Sequence, residues 1–221
     1  MIKNNLFMAR NTIVFTWIII IVSILYFTFK LFYLNMIEAD NFGSRIYSID
    51  IQFTKNINLI LYLILLSLAI ITITLFILWF NRAYKNMHQR IKMLTYNKSA
   101  SIYGWFIPFI NLYLPYKIMA EMNNKANLIF VSNNYNLKPH DGEKIIKLWW
   151  ITGIYNIFFI LIYSLIHTYD IIDLSSLAEI IINVLIFLIL NLYFIMMIRM
   201  IRMYEYKERV LRDIYPNGFS I

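Results

Sequence analysis

Four stretches of this chain stay apolar for long enough to cross a bilayer, and shorter polar connections separate them. Residues 13–34, 57–80, 148–166 and 180–198 carry no charge apart from Lys30, near the end of the first. A hydrocarbon core ~30 Å thick is spanned by a helix of ~20 apolar residues, so each stretch predicts a transmembrane helix. The first is too long for a signal-peptide core and lacks a small-residue cleavage site after it, so it is expected to stay attached.

Between the second and third spans the pattern changes. Tyr84, Met87, Ile91 and Leu94 recur at helical spacing, with Arg82, Lys85, Gln89 and Lys92 on the opposite side. An amphipathic helix over 81–96 is therefore expected to continue the second span. A second one is predicted over 116–131. Its apolar stripe is Ile118, Met122, Ala126 and Ile129, and Lys117, Glu121 and Lys125 form a charge ladder at i,i+4 spacing. Pro115 stands where a helix can start without losing a hydrogen bond. A polar loop from Ser132 to Gly142 ends in the turn Pro139-His140-Asp141-Gly142.

The segment joining those two helices is unlike the rest. From Tyr103 to Tyr116 it reads Tyr-Gly-Trp-Phe-Ile-Pro-Phe-Ile-Asn-Leu-Tyr-Leu-Pro-Tyr, six aromatics in fourteen residues with Pro108 and Pro115 inside. It is apolar enough to enter a membrane, yet too short and too broken to cross one. Residues 102–120 are accordingly expected to be an interfacial or re-entrant element.

Composition agrees with a membrane chain. Hydrophobic residues make up 61% of 221 and charged residues 14%, and mean hydropathy is +0.63. A soluble domain carries nearly twice that share of charge. The absence of cysteine excludes disulfides, thiol nucleophiles and thiolate metal sites.

The net charge of +8 is explained by its distribution rather than by nucleic acid. Residues 1–12, 81–147 and 199–221 hold 17 of the 20 Lys and Arg, whereas the connections 35–56 and 167–179 hold only Arg45 and Lys55. Those two connections also carry six of the twelve acids. The excess of Lys and Arg on cytoplasmic loops then predicts both termini and 81–147 inside. A fifth span at 102–120 would invert the later charges, so four spans are expected.

Each candidate residue has a functional and a structural use. Trp105, Tyr113 and Tyr116 suit a lipid or ligand groove, but rings at the headgroup level are the commoner use. Pro108 and Asn111 could present free carbonyls to an ion, or form a kink whose freed carbonyl Asn111 satisfies. Arg82 and Asn86, one turn apart, could clamp an anionic headgroup or snorkel. Glu121 is expected to pair with Lys125. His167, Asp170 and Asp173 share a side only weakly suggestive of a metal or proton site. Ser176 to Glu179 is a capping box that starts the fourth span. Asn156, Asn183 and Asn191 are expected to bond between helices.

No zinc-binding His pair, nucleophile elbow or phosphate loop is present, and His88, His140 and His167 fall on separate elements. The chain is read as non-catalytic, with no cofactor and no metal.

Three further runs carry a resemblance. Trp79-Phe80-Asn81-Arg82-Ala83-Tyr84-Lys85-Asn86 comes first. Gly104-Trp105-Phe106-Ile107-Pro108-Phe109-Ile110-Asn111-Leu112 then leads to Pro115-Tyr116-Lys117-Ile118-Met119-Ala120-Glu121, and Trp149-Trp150 opens the third span. Over about 75–200 the chain resembles the bacterial membrane family called domain of unknown function 4328. Asn123-Asn124 departs from it, where relatives often carry a bulky or acidic residue. The resemblance implies a multi-span bacterial membrane protein and no established activity.

Two functions remain as expectations. One is a protein of the bacterial cytoplasmic (inner) membrane that binds anionic lipid headgroups, a partner protein or a second copy through its basic aromatic face. The other is a small transporter or channel with 103–116 lining the path, although no ionisable residue within the spans stands out for coupling.

Overall fold

The computed structural model describes residues 2, 4–41, 48–91, 93–135, 142–169 and 176–216. Their regular structure is helical: α1 (Leu6–Asn41), α2 (Ser48–Arg90), α3 (Ala100–Tyr103), α4 (Leu114–Ser132), α5 (Gly142–Tyr169) and α6 (Ser176–Ile214). One 3-10 turn, Ile110–Leu112, lies between α3 and α4. Helices α1, α2, α5 and α6 are each long and apolar enough to cross a membrane. This is the expected all-α integral membrane fold with four spanning helices.

Two of these helices far outrun a bilayer. At ~1.5 Å per residue, the 43 residues of α2 reach ~65 Å and the 39 of α6 reach ~58 Å. Neither contains Pro or Gly, so nothing in the backbone breaks them where the apolar stretch ends. Along the spans Ile21, Leu63, Ile73, Phe158 and Leu188 are exposed, as lipid-facing side chains must be. Span hydroxyls bond back to their own helix. Thr16 donates to the Thr12 carbonyl at 2.6 Å and Thr72 to that of Leu68 at 2.8 Å, so neither meets hydrocarbon unbonded.

The three span asparagines bridge helices, as expected. Asn191 Oδ1 accepts from Ser23 Oγ at 3.1 Å, and Asn156 Nδ2 donates to the Ile189 carbonyl at 3.1 Å. Asn183 Oδ1 accepts from Lys30 Nζ at 2.6 Å. Helix α1 packs on α2 and α6, and α5 packs on α6, but α2 and α5 make no comparable contact. The four spans thus form an open arc in the order α2, α1, α6, α5.

The buried core sits at one end of that arc. It gathers the start of α1 (Ala9), the end of α2 (Trp79, Phe80, Tyr84, Met87), the start of α5 (Ile146, Trp149) and the end of α6 (Met200, Ile201, Tyr204, Leu211). Helix α4 lies against these ends and buries the predicted stripe Ile118, Met122, Ala126 and Ile129. This is the end where the chain's Lys and Arg concentrate.

One expectation is corrected. The amphipathic helix over 81–96 stops at Arg90. Ile91 N–H still bonds the Met87 carbonyl at 2.9 Å, and then the chain turns. Tyr84 Oη donates to the Tyr96 carbonyl at 2.9 Å, and Thr95 N–H donates to Glu121 Oε1 at 2.6 Å. Tertiary bonds from α2 and α4 outcompete helix propagation. Ile91 and Leu94 still pack on the core, but not at helical positions. The Pro139-His140-Asp141 turn, Lys92, Asp170, Asp173 and the side chains of His167 and Ser176 lie outside the described residues.

Candidate functional site at the basic end

The aromatic and proline-rich segment is a short helix, a tight reversal and a 3-10 turn, not one continuous helix. Helix α3 ends at Gly104, where a Cβ would stand 2.8 Å from the Ala100 carbonyl and 2.9 Å from Leu114 Cδ2. Only glycine admits that approach. At Pro108 the chain folds sharply, with Ile110 N–H donating to the Pro108 carbonyl at 2.8 Å. The residue between them, Phe109, has φ 64° and ψ −39°. This is a γ-turn, a strained conformation for a residue with a side chain. Asn111 closes the reversal with its backbone N–H on the Ile107 carbonyl at 3.0 Å. Asn111 thus satisfies a carbonyl of the reversal through its backbone N–H.

The reversal is held from one side and open on the other. Trp150 Nε1 donates to the Leu112 carbonyl at 3.0 Å, and Tyr116 stacks on Trp150 with ring centroids 6.4 Å apart. Trp105 packs edge-on against Phe76 at 5.4 Å and Phe80 at 5.6 Å, and lies 6.4 Å from Trp149. Trp105, Tyr116, Trp149 and Trp150 thus form one aromatic platform, a packing role rather than an open groove. Outward from it, Phe109 is 81% exposed and Phe106 68% exposed. Tyr113 is exposed too, with Lys117 Nζ 5.5 Å from its ring centroid. Pro115 is buried in the first turn of α4.

Glu121 differs from its expected role. The one Tyr84 hydroxyl proton is shared between the Tyr96 carbonyl and Glu121 Oε2, which lies 3.0 Å from Oη, and Glu121 Oε1 accepts from Thr95 N–H, so the carboxylate serves the connection after α2 rather than Lys125. Burial, and after it Glu121, raises the Tyr84 hydroxyl above its ordinary value.

Beneath the platform lies a set of buried charges that the sequence reading missed. Arg90, Glu205, Lys207 and Glu208 are all buried. They are held chiefly by neutral groups. Trp79 Nε1 donates to Glu205 Oε1 at 2.7 Å, Asn86 Nδ2 donates to Glu208 Oε1, and Lys207 Nζ donates to Asn123 Oδ1 and Asn127 Oδ1 at 2.6 Å each. The Arg90 guanidinium has no hydrogen-bond partner among the described residues, with Tyr204 and Glu208 in electrostatic reach. Burial pushes the Glu208 carboxyl up to about 7, with Glu205 adding to the rise. Burial pulls Lys207 down to about 8. These groups lie past residue 198, beyond the apolar part of α6, where a stripe of Met197, Met200, Tyr204, Glu208 and Leu211 continues the helical period. That period was the available signal, and the alternating charges of 205–209 obscured it.

Arg82 and Asn86 do not act as a pair of prongs. Asn86 points inward to Glu208, while Arg82 donates to the Asn4 carbonyl at 3.2 Å. Both nevertheless border a cavity of about 200 Å³, with Lys85 and Gln89 beside them and Met8 and Leu78 as apolar wall. Arg90, at the last position of α2, is fully buried.

The family model described as Domain of unknown function (DUF4328) matches residues 45–205 of the chain. No curated protein and no solved structure matches it.

Proposed function

As the chain belongs to that family of unknown function, we propose a function from its own geometry. The protein is a non-catalytic, multi-pass protein of the bacterial cytoplasmic membrane. Its basic aromatic end lies on the cytoplasmic side and binds anionic lipid headgroups.

One observation carries the reading. Phe106 and Phe109 stay exposed although an aromatic platform that could bury rings lies within the same segment. In water such exposure wastes apolar area, at ~25 cal/mol for each Å². At a membrane interface the rings sit among acyl chains and headgroups instead. Residues 102–113 then lie flat at the interface, with Lys117 in the first turn of α4 beside them and Arg82 and Lys85 at their own cavity supplying positive charge. Neither that cavity nor the larger one described below draws a residue from 103–116, so the transport reading gains no support from this segment.

The test uses protein in nanodiscs. A fluorophore on Phe109→Cys should be quenched by brominated acyl chains. The Arg82→Gln, Lys85→Gln variant should co-purify with less phosphatidylglycerol. A label quenched only by aqueous iodide, with unchanged lipid content in the variant, would reject the proposal.

A further inference from the structure

Between the spans, on the side away from the basic end, lies a cavity of about 360 Å³. Its polar end is formed by Lys30, Tyr163 and Asn183, and its apolar end by Leu66, Ile160 and Phe194. All four spanning helices contribute to its wall. Helices α2 and α5 face each other across it with far less direct contact than the neighbouring pairs, Phe76 and Trp149 meeting nearer the basic end, so the arc opens sideways beside the cavity.

Lys30 is the feature that makes this more than a packing defect. A lysine near the end of a span ordinarily extends towards water. Here its Nζ turns inward to Asn183 Oδ1 at 2.6 Å and lies 6.0 Å from the Tyr163 ring centroid. Asn183 Nδ2 in turn donates to Tyr163 Oη at 3.4 Å, and Tyr163 Oη to Glu179 Oε1 at 3.4 Å. An ammonium has three donors, and among the described residues one of them is used. The Glu179 carboxylate is in electrostatic reach of the ammonium, and the other two donors are available to an acceptor in the cavity.

The occupant follows from that polarity. The ammonium calls for an anion, the long apolar wall for hydrocarbon, and the sideways opening for a molecule that arrives from the bilayer. A volume near the lower bound of ~300 Å³ for ligand pockets suits one acyl chain rather than two. Lys30 lies four residues before the end of its span, about 6 Å along the helix, within reach of the headgroup layer. We propose that this cavity is a lateral binding site for an anionic phospholipid. One acyl chain lies between α2 and α5, and the headgroup phosphate meets Lys30. The site is separate from the basic face and does not depend on it.

The probe is phosphatidylglycerol carrying a diazirine on one acyl chain, compared with phosphatidylcholine bearing the same chain. Full-length protein is photolysed in nanodiscs, and the crosslinked peptides are mapped. Crosslinks to 62–69 and 160–163 should favour phosphatidylglycerol by roughly tenfold, the worth of one charge-assisted hydrogen bond. Lys30→Gln should abolish the preference and Lys30→Arg should keep it. Leu66→Trp, which fills the apolar end from another helix, should reduce crosslinking of both lipids there. Arg82→Gln with Lys85→Gln should leave these crosslinks unchanged, which separates this site from the basic face. Equal crosslinking of the two lipids in the native protein, or an unchanged preference in Lys30→Gln, would overturn the proposal.

Discussion

The Tyr84 hydroxyl meets Glu121 Oε2 at 3.0 Å, joining the end of α2 to the middle of α4. The second oxygen of the same carboxylate receives Thr95 N–H at 2.6 Å. One acid therefore ties two helices and fixes the turn between them. Glu121→Ala should destabilise the detergent-solubilised protein by about 1–3 kcal/mol, the usual cost of stranding donors on a charged acceptor's removal. Lys125→Ala should stay within ~0.5 kcal/mol. Melting curves of the two variants decide this; equal effects would restore the i,i+4 pair as the important contact.

The strain at Phe109 can be isolated from its ring. Phe109→Ala and Phe109→Gly both delete the aromatic side chain, but only alanine keeps a Cβ at φ 64°. The glycine variant should be the more stable of the two by about 1 kcal/mol. Parallel thermal unfolding measures the difference, and alanine equal to glycine would mean that no strain is stored there.

Stability should depend on pH through Glu208. Its folded carboxyl is raised to about 7 from an ordinary value of 4.5. Between those values the folded state holds more protons than the unfolded one, so stability falls as pH rises through this window. The whole effect is at most about 3 kcal/mol. Lys207, lowered to about 8 from 10.5, acts at higher pH. There the unfolded state holds the extra proton, and stability recovers as pH rises. These two groups together place a minimum between pH 7 and 8. Glu208→Gln should flatten the acid limb while leaving the alkaline limb in place; an unaltered acid limb would assign it to another group.

Sidedness is directly measurable because the chain has no native cysteine. Single cysteines replacing Asn41 and Ser175 should react with an impermeant maleimide added outside intact cells. Cysteines replacing Asn97 and Leu128 should react only after permeabilisation. Outside labelling at Asn97 or Leu128 would invert the proposed orientation.

The spans and the stripe on α4 were legible because lipid and core each impose a simple period on a helix. What was not legible depends on partners far away in the chain. Lys30 reads as a lone charge near the end of a span until Asn183, 153 positions later, is seen to accept from it. Lys207 and Glu208 read as part of the basic tail, because nothing local reveals that α4 holds the one and α2 the other. Asn123, a departure from the family pattern by sequence, holds Lys207. Arg90 stands where the helix expected over 81–96 stops, and only the tertiary packing shows that it is buried. Amphipathic periods locate surfaces well, but they cannot tell a solvated charge from one solvated by amides of another helix.

The unbroken length of α6 has a mechanical consequence. Asn183, near one end, accepts a hydrogen bond from Lys30, and Glu208, near the other, accepts one from Asn86. The 25 positions between them span ~38 Å of one stiff rod. A tilt of about 5° pivoting at Asn183 would swing Glu208 by ~3 Å, the length of a hydrogen bond. Glu208 and Lys207 stand where such a lever arm would register the movement first.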